Sequence, residues 1–292
     1  MAKKISISTS IIHVVLALTA FLCLVPILNI IAISFSESSV AIAGDVYFVP
    51  KRFNIVSYKR MIMESTFSRA FMISVMRVIA AVSIAMPVTI LMAYALSKSP
   101  RVFRERNLVM WIAVFTMLFN GGLIPTYIMI KSYGLIDTFW VLVLPMVMNV
   151  FNMIIMMNFF RGIPKELEEA ALMDGATALR TLISVYLPVS LPSIATITLF
   201  TVVNYWNDFF YGLVYINKME NYPLQTYIRS LTVPSDLLAT VMDPELLAEY
   251  IKMNSITFNA SKIVVSMVPV LILYPFLQRY FVSGLVMGSV KE

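Results

Sequence analysis

Six stretches of this sequence, near 11–35, 70–97, 107–130, 138–160, 188–216 and 262–283, are long and apolar enough to cross a hydrocarbon core, and no other feature constrains the fold so strongly. Crossing about 30 Å of hydrocarbon takes roughly 20 helical residues. Unpaired backbone polar groups are costly in lipid, and these segments are too long and too uniformly apolar for barrel strands, so all six are expected as helices. Composition agrees: 60% of the 292 residues are apolar, 13% are charged and the mean hydropathy is +0.85. Water-facing elements need far more charge than this, so no soluble domain of useful size remains. The expectation is an all-α integral membrane protein of six transmembrane helices, with residues 1–292 forming one transmembrane domain.

The net charge of +6 does not mark a nucleic-acid binder, because the basic residues are scattered through short loops, where anionic lipid headgroups explain them. Cys23 is the single cysteine, so no internal disulfide can form, and His13 is the single histidine, a poor metal ligand by itself in an apolar run. The first run follows Lys3 and Lys4 and precedes Ala41-Ile42-Ala43, which looks like a signal peptide. Its apolar run exceeds the usual length, and an uncleaved anchor is expected. Lys98, Arg101, Arg104 and Arg106 crowd one short loop, and the positive-inside bias places that loop and both termini in the cytoplasm. The segments 36–69 and 217–261 then lie outside. In the second, Asp243-Pro244-Glu245 supplies a cap, a first-turn proline and a first-turn acid, so a short helix through about Tyr250 is expected, either as a tether or as a surface for an external partner.

Catalytic and metal chemistry has no foothold. There is no glycine-rich phosphate loop, no cysteine cluster and no second histidine, so no catalytic and no metal-binding residue is expected and the chain is not read as an enzyme. Asp208 is the only carboxylate within the six stretches. Ion-coupled carriers usually keep ionisable groups there, which disfavours a secondary carrier and leaves the energy source to be found elsewhere.

The loop 161–187 supplies one. Pro164 can open a helix in its first turn, Glu166, Glu168 and Glu169 suit its positive end, and Gly175 can close it. Ala170 and Ala171 leave a small, flat patch between carboxylates, which could enter a groove on another protein; an acidic connector with ordinary caps fits the same residues. Local chemistry leaves both open, and a resemblance favours docking. Glu169-Ala170-Ala171, three residues, Gly175, nine residues, then Val185-Tyr186-Leu187-Pro188 resembles the EAA loop of bacterial ABC-importer permeases, with Val where Ile is more usual. Ala93-Tyr-Ala-Leu-Ser-Lys98, Gly134-Leu-Ile-Asp-Thr138, Tyr205-Trp-Asn-Asp-Phe209 and the ending from Gln278 to Lys291 are similar to the carbohydrate-uptake family, whose familiar member is the smaller permease of the maltose transporter.

That resemblance implies a type I ABC-importer permease fold with a cytoplasmic coupling helix, in the inner (plasma) membrane of a bacterium. It implies a second homologous permease as a heterodimer partner, two ATPase subunits that carry the ATP and Mg, and an external solute-binding protein; this chain would bind no cofactor. Docking to the ATPase would fall to Glu168, Glu169, Ala170, Ala171, Asp174, Gly175 and Lys291. The cargo would be an oligosaccharide, and Phe119-Asn-Gly-Gly-Leu-Ile-Pro-Thr-Tyr127 looks like the branch handling plant or algal polysaccharide fragments, alginate- and pectin-type among them. The same architecture carrying a non-sugar solute is the alternative.

Sugar sites favour aromatic rings and amides. Tyr205, Trp206 and Asn207 in the fifth stretch, and Asn120, Asn149 and Asn152 in the third and fourth, are the pathway candidates, with hydrogen bonding between helices as the competing explanation. Arg77 lies within the second stretch, where it either snorkels to the headgroups or faces the pathway and suits an acidic sugar.

Overall fold

The computed structural model describes residues 7–230 and 256–289, and all regular structure among them is helical. In chain order come α1 (Ile7–Ser34), α2 (Ser38–Ile42), α3 (Val56–Met63), α4 (Ser65–Ser97), α5 (Arg106–Leu118) and α6 (Leu123–Ser132). Two 3₁₀ turns (Phe139–Leu142 and Leu144–Met146) lead into α7 (Val150–Arg161) and α8 (Lys165–Met173). After α9 (Ala178–Thr181), a π-helical turn (Leu182–Tyr186) and α10 (Leu187–Val189) come α11 (Leu191–Asn207), α12 (Phe210–Tyr215), α13 (Leu224–Ser230) and α14 (Ile256–Ser289). The helix expected through about Tyr250, and Lys291, lie outside the described residues.

Among the described residues, three helices are each long and apolar enough to cross a membrane: Ser10–Ser34 within α1, the whole of α4, and Ile256–Pro275 within α14. Three bent pairs bring the number to as many as six: α5 with α6 at 117°, Phe139–Met146 with α7 at 46°, and Ala178–Val189 with α11 at 84°. The sequence reads 107–130, 138–160 and 188–216 as single helices, and the structure breaks each of these paths. Local chemistry accounts for the breaks. Gly122 adopts φ +89° and its N–H is taken by the Asn120 side chain. Pro145 lies in the 3₁₀ turns and Asn149 caps α7 through the N–H of Asn152. Pro188 and Pro192 flank the bend at Ser190. Proline removes a backbone donor and crowds the preceding turn, whereas Pro87, Pro269 and Pro275 sit inside continuous helices, as membrane helices tolerate.

The chain falls into two compact units. The first comprises Met1–Ser68 and Tyr227–Val268. The apolar window of α1 has none of its residues buried within the protein, as suits a helix whose solvent is hydrocarbon. Beyond α1 the segment folds locally: Phe35 stacks on Phe53 and Tyr58, and Asn29 donates to the carbonyls of Val46 and Tyr47 at 3.1 and 2.7 Å. Lys262 is buried beside Glu64 at 3.3 Å, and the Tyr227 hydroxyl donates to the same carboxylate.

The second unit comprises Arg69–Thr226 and Pro269–Glu292. Its main core is built on α7, whose Met153, Met156, Met157 and Phe160 are buried with Tyr94 and Leu96 of α4, Ala113 of α5, Tyr186 of the π-helical turn and Ile197 of α11. In lipid this contact is held by packing rather than by expulsion of water. A smaller core joins Ile73, Ile130, Val141, Leu142, Tyr215 and Ile216. Gly212 in α12 has no room for a Cβ, which would strike Thr226 and Pro223, so glycine is what lets α12 approach that segment.

Candidate functional site

The loop between α7 and α11 is built from its caps inward. Pro164 stands at the cap of α8, with φ −55° and ψ 133°, one position before the first helical turn that the sequence suggests, and Glu166 and Glu168 fall in that turn. At the other end Gly175 takes φ +75°, its N–H bonds the Leu172 carbonyl at 3.0 Å, and the Ala176 N–H bonds the Ala171 carbonyl at 3.0 Å. These paired bonds satisfy the last carbonyls of the helix and require a left-handed residue, for which glycine is the cheapest choice. Thr177 then caps α9 by accepting the Arg180 N–H.

No residue of α8 is buried. Leu167, Leu172 and Met173 are exposed, Met173 to 87%, alongside exposed Glu169, Ala170, Asp174 and Gly175. Glu168 differs from its neighbours: its carboxylate turns back onto the protein. Lys98, immediately after α4, places its Nζ 2.5 Å from Glu168 Oε1, and the Tyr186 hydroxyl donates to Oε2 at 2.7 Å. Lys98 Nζ also lies 3.2 Å from the Tyr186 hydroxyl, and 4.0 and 4.4 Å from the ring centroids of Tyr94 and Tyr186. The rings are themselves fixed, Tyr94 meeting Tyr186 edge-on at 4.9 Å and Phe160 meeting Tyr186 at 5.4 Å.

Burial raises the Glu168 carboxyl, but the Lys98 and Tyr186 hydrogen bonds and the Lys98 charge outweigh it and hold the group below its ordinary value. On Lys98 burial is the larger influence and outweighs the Glu168 carboxylate, so the amine also sits below its ordinary value. Glu168, one of the expected docking residues, is thus engaged within the chain by Lys98 and Tyr186. Beside it opens a cleft of about 650 Å³, whose cationic lining includes Arg106, Arg161 and Lys165. Arg106 and Arg161 both donate to the Leu96 carbonyl, at 2.8 and 3.1 Å, which closes the end of α4 where intrahelical partners run out.

The pathway candidates separate into three groups. Arg77 is 1% exposed and fully engaged: it donates to Asp208 Oδ2 at 2.6 Å, to the Asp208 carbonyl at 3.1 Å and to the Leu142 carbonyl at 2.8 Å. In this structure the guanidinium is held by Asp208 and the Leu142 carbonyl rather than pointing to a headgroup region or an open cavity. Tyr205 and Trp206 are likewise buried, Tyr205 donating to the Val143 carbonyl at 2.8 Å beneath Arg77 and Trp206 packing edge-on against Phe71. Asn149 and Asn152 cap and begin α7, Asn152 being buried. Asn120 and Asn207 are exposed, as is Asn204 one turn before Asn207 on α11.

The two pairings that organise the site, Lys98 with Glu168 and Arg77 with Asp208, are not made by sequence reasoning. A signal existed for the second, because a lone acid and a deep arginine in otherwise apolar spans have few partners but each other. For the first, Lys98 and Tyr186 stand in separate motifs, and nothing local shows that they converge.

Comparison with known proteins identifies the family. Residues 75–286 match the family described as the binding-protein-dependent transport system inner membrane component. Protein LplC of Bacillus subtilis is 41% identical over 268 residues, covering 92% of this chain and 89% of its own. The polygalacturonan/rhamnogalacturonan transport system permease protein YtcP of Bacillus subtilis is 36% identical, covering 94% of this chain and 95% of its own. A chain in the crystal structure of a bacterial ABC transporter involved in the import of the acidic polysaccharide alginate superimposes with a TM-score of 0.83 at 33% identity, covering 96% of this chain and 100% of that one. The chain belongs to the binding-protein-dependent transport system inner membrane components, and is a multi-pass ABC-importer permease of the type I fold.

Proposed function

We propose that this permease imports an oligosaccharide, with uronate-containing fragments as the first candidates, and that α8 is the coupling helix through which ATPase subunits drive it. The observation that carries the coupling is the surface of α8, nine residues with none buried, on an element too short to cross lipid. Leu167, Leu172 and Met173 present apolar area outside any hydrocarbon core, which marks a protein contact. Glu169, Ala170, Ala171, Asp174 and Gly175 form the docking set, small at its centre and acidic at its rim. The ATPase then has to favour one of two permease states by only a few kcal/mol of differential binding.

In this reading two ATPase subunits hold the ATP and Mg, this chain hydrolyses nothing and binds no cofactor, and a second homologous permease completes a heterodimer. A solute-binding protein delivers cargo from outside, both termini are cytoplasmic, and the tail through Lys291, beyond the described residues, reaches the ATPase. The cargo class rests on the polygalacturonan/rhamnogalacturonan and alginate transport named for the relatives. Within the spans, exposed Asn120, Asn204 and Asn207 are the side chains best placed to meet hydroxyl groups, while Asn149 and Asn152 serve the cap and first turn of α7. An ion-coupled carrier is disfavoured, because Asp208 is already neutralised by Arg77.

Glu169→Lys and Gly175→Pro test the coupling. Both variants are expected at parental levels in the membrane, with ATP hydrolysis that no longer responds to loaded binding protein; normal coupled uptake in both contradicts the assignment. Competition by alginate- and pectin-derived oligouronides against neutral glucose oligomers tests the cargo, the expected result being displacement by the acidic series.

A further inference from the structure

We propose that Lys98, Glu168 and Tyr186 form the joint that makes α8 move as one body with the end of α4, so that these three residues position the docking surface without belonging to it. The proposal rests on the coupling role assigned to α8. A docking helix transmits force only as far as it is fixed to the spans it is meant to move. Since α8 buries none of its own residues, packing alone fastens it only weakly. The joint supplies the missing link. It brings together the residue after α4, the first-turn carboxylate of α8 and the last residue of the π-helical turn that leads into α11.

Three observations make this more than a surface ion pair. The side chains are largely withdrawn from solvent, Lys98 being 11% and Glu168 27% exposed. Each polar group has two partners, and the ammonium is also covered by the faces of Tyr94 and Tyr186, so the group is held in one geometry. The π-turn adds a residue to the helical repeat just where Tyr186 must swing its hydroxyl to Glu168, a placement such turns often serve. Because Glu168 faces the spans while Glu169, the next residue, is exposed, the helix divides its acids between an inner fastening and an outer contact.

The test uses the assembled importer, with its ATPases and binding protein, in lipid nanodiscs. Cys23 is replaced by Ser and spin labels are placed at Glu166→Cys, an exposed first-turn position of α8 outside the docking set, and at Ser99→Cys. The parent is expected to give one narrow label-to-label distance. Lys98→Met is expected to broaden it and to lower hydrolysis stimulated by the binding protein ~10-fold, the scale of a typical coupling free energy, while the ATPases stay bound. Lys98→Arg is expected to keep the parental distance and rate. Tyr186→Phe removes one hydroxyl only, so it reads the joint even if Lys98→Met fails to assemble, and it is expected to broaden the same distance. An unaltered narrow distance with stimulated hydrolysis within twofold of the parent, in Lys98→Met or, failing that, in Tyr186→Phe, overturns the joint. Failure of the coupling assignment looks different: Glu169→Lys on the outer face then leaves stimulated hydrolysis intact, whatever the labels report.

Discussion

Arg77 shows how much the reading of a residue type depends on a partner that the sequence does not display. A deep arginine in a sugar permease invites an acidic ligand, yet this one spends its donors on Asp208 and on two backbone carbonyls near breaks in the spans. Removing one partner strands the other charge, at a cost of about 3–5 kcal/mol, whereas removing both in favour of apolar groups is often nearly neutral. Arg77→Met is therefore expected to lower the thermal stability of the purified protein sharply. Arg77→Met with Asp208→Leu is expected to recover most of it in the same melting assay. If Arg77 served an acidic cargo directly, Arg77→Met would instead melt like the parent and lose only uronate uptake. Tyr205 and Trp206 carry the same lesson, since aromatic rings suit a sugar face and a helix interface equally, and only burial tells them apart.

At the scale of elements, α8 was the most legible part of the chain. Its proline, acids and glycine are local signals acting on the backbone beside them, and the structure moves only the starting proline, by one position. The bends within the spans were much less legible, because hydropathy records how long an apolar stretch is and says nothing of its axis. Gly122, Pro145 and the Pro188–Pro192 pair were visible, but a membrane helix can also carry a proline unbroken, as Pro87 does. The joint between α4 and α8 has a pH signature. A carboxylate held below its ordinary value adds stability above that value, about 4.5 here, and loses it as the pH falls through the lowered one. A spin label at Ala170→Cys in the isolated permease is expected to stay immobile at neutral pH and to gain mobility only under acid stronger than an ordinary carboxylate requires. Glu168→Gln is expected to be mobile at every pH.

At the scale of the whole molecule, the all-helical membrane fold followed from composition and from the length of the apolar stretches alone, since lipid leaves the backbone few alternatives. The long spacing from Glu169 to Pro188 made the importer family recognisable before any contact was known. The cargo was not legible in this way, because exposed amides such as Asn120 and Asn207 report polarity without naming a ligand. The central claim is that the energy for transport enters through α8 from ATP and not through the spans from an ion gradient. The direct measurement is uptake of a labelled oligouronide into proteoliposomes containing this permease, its partner permease, the ATPases and the binding protein. With ion gradients collapsed by ionophores, uptake is expected to require ATP, to proceed at an undiminished rate and to vanish in Gly175→Pro. Uptake that continues without ATP and collapses with the ion gradient contradicts the account.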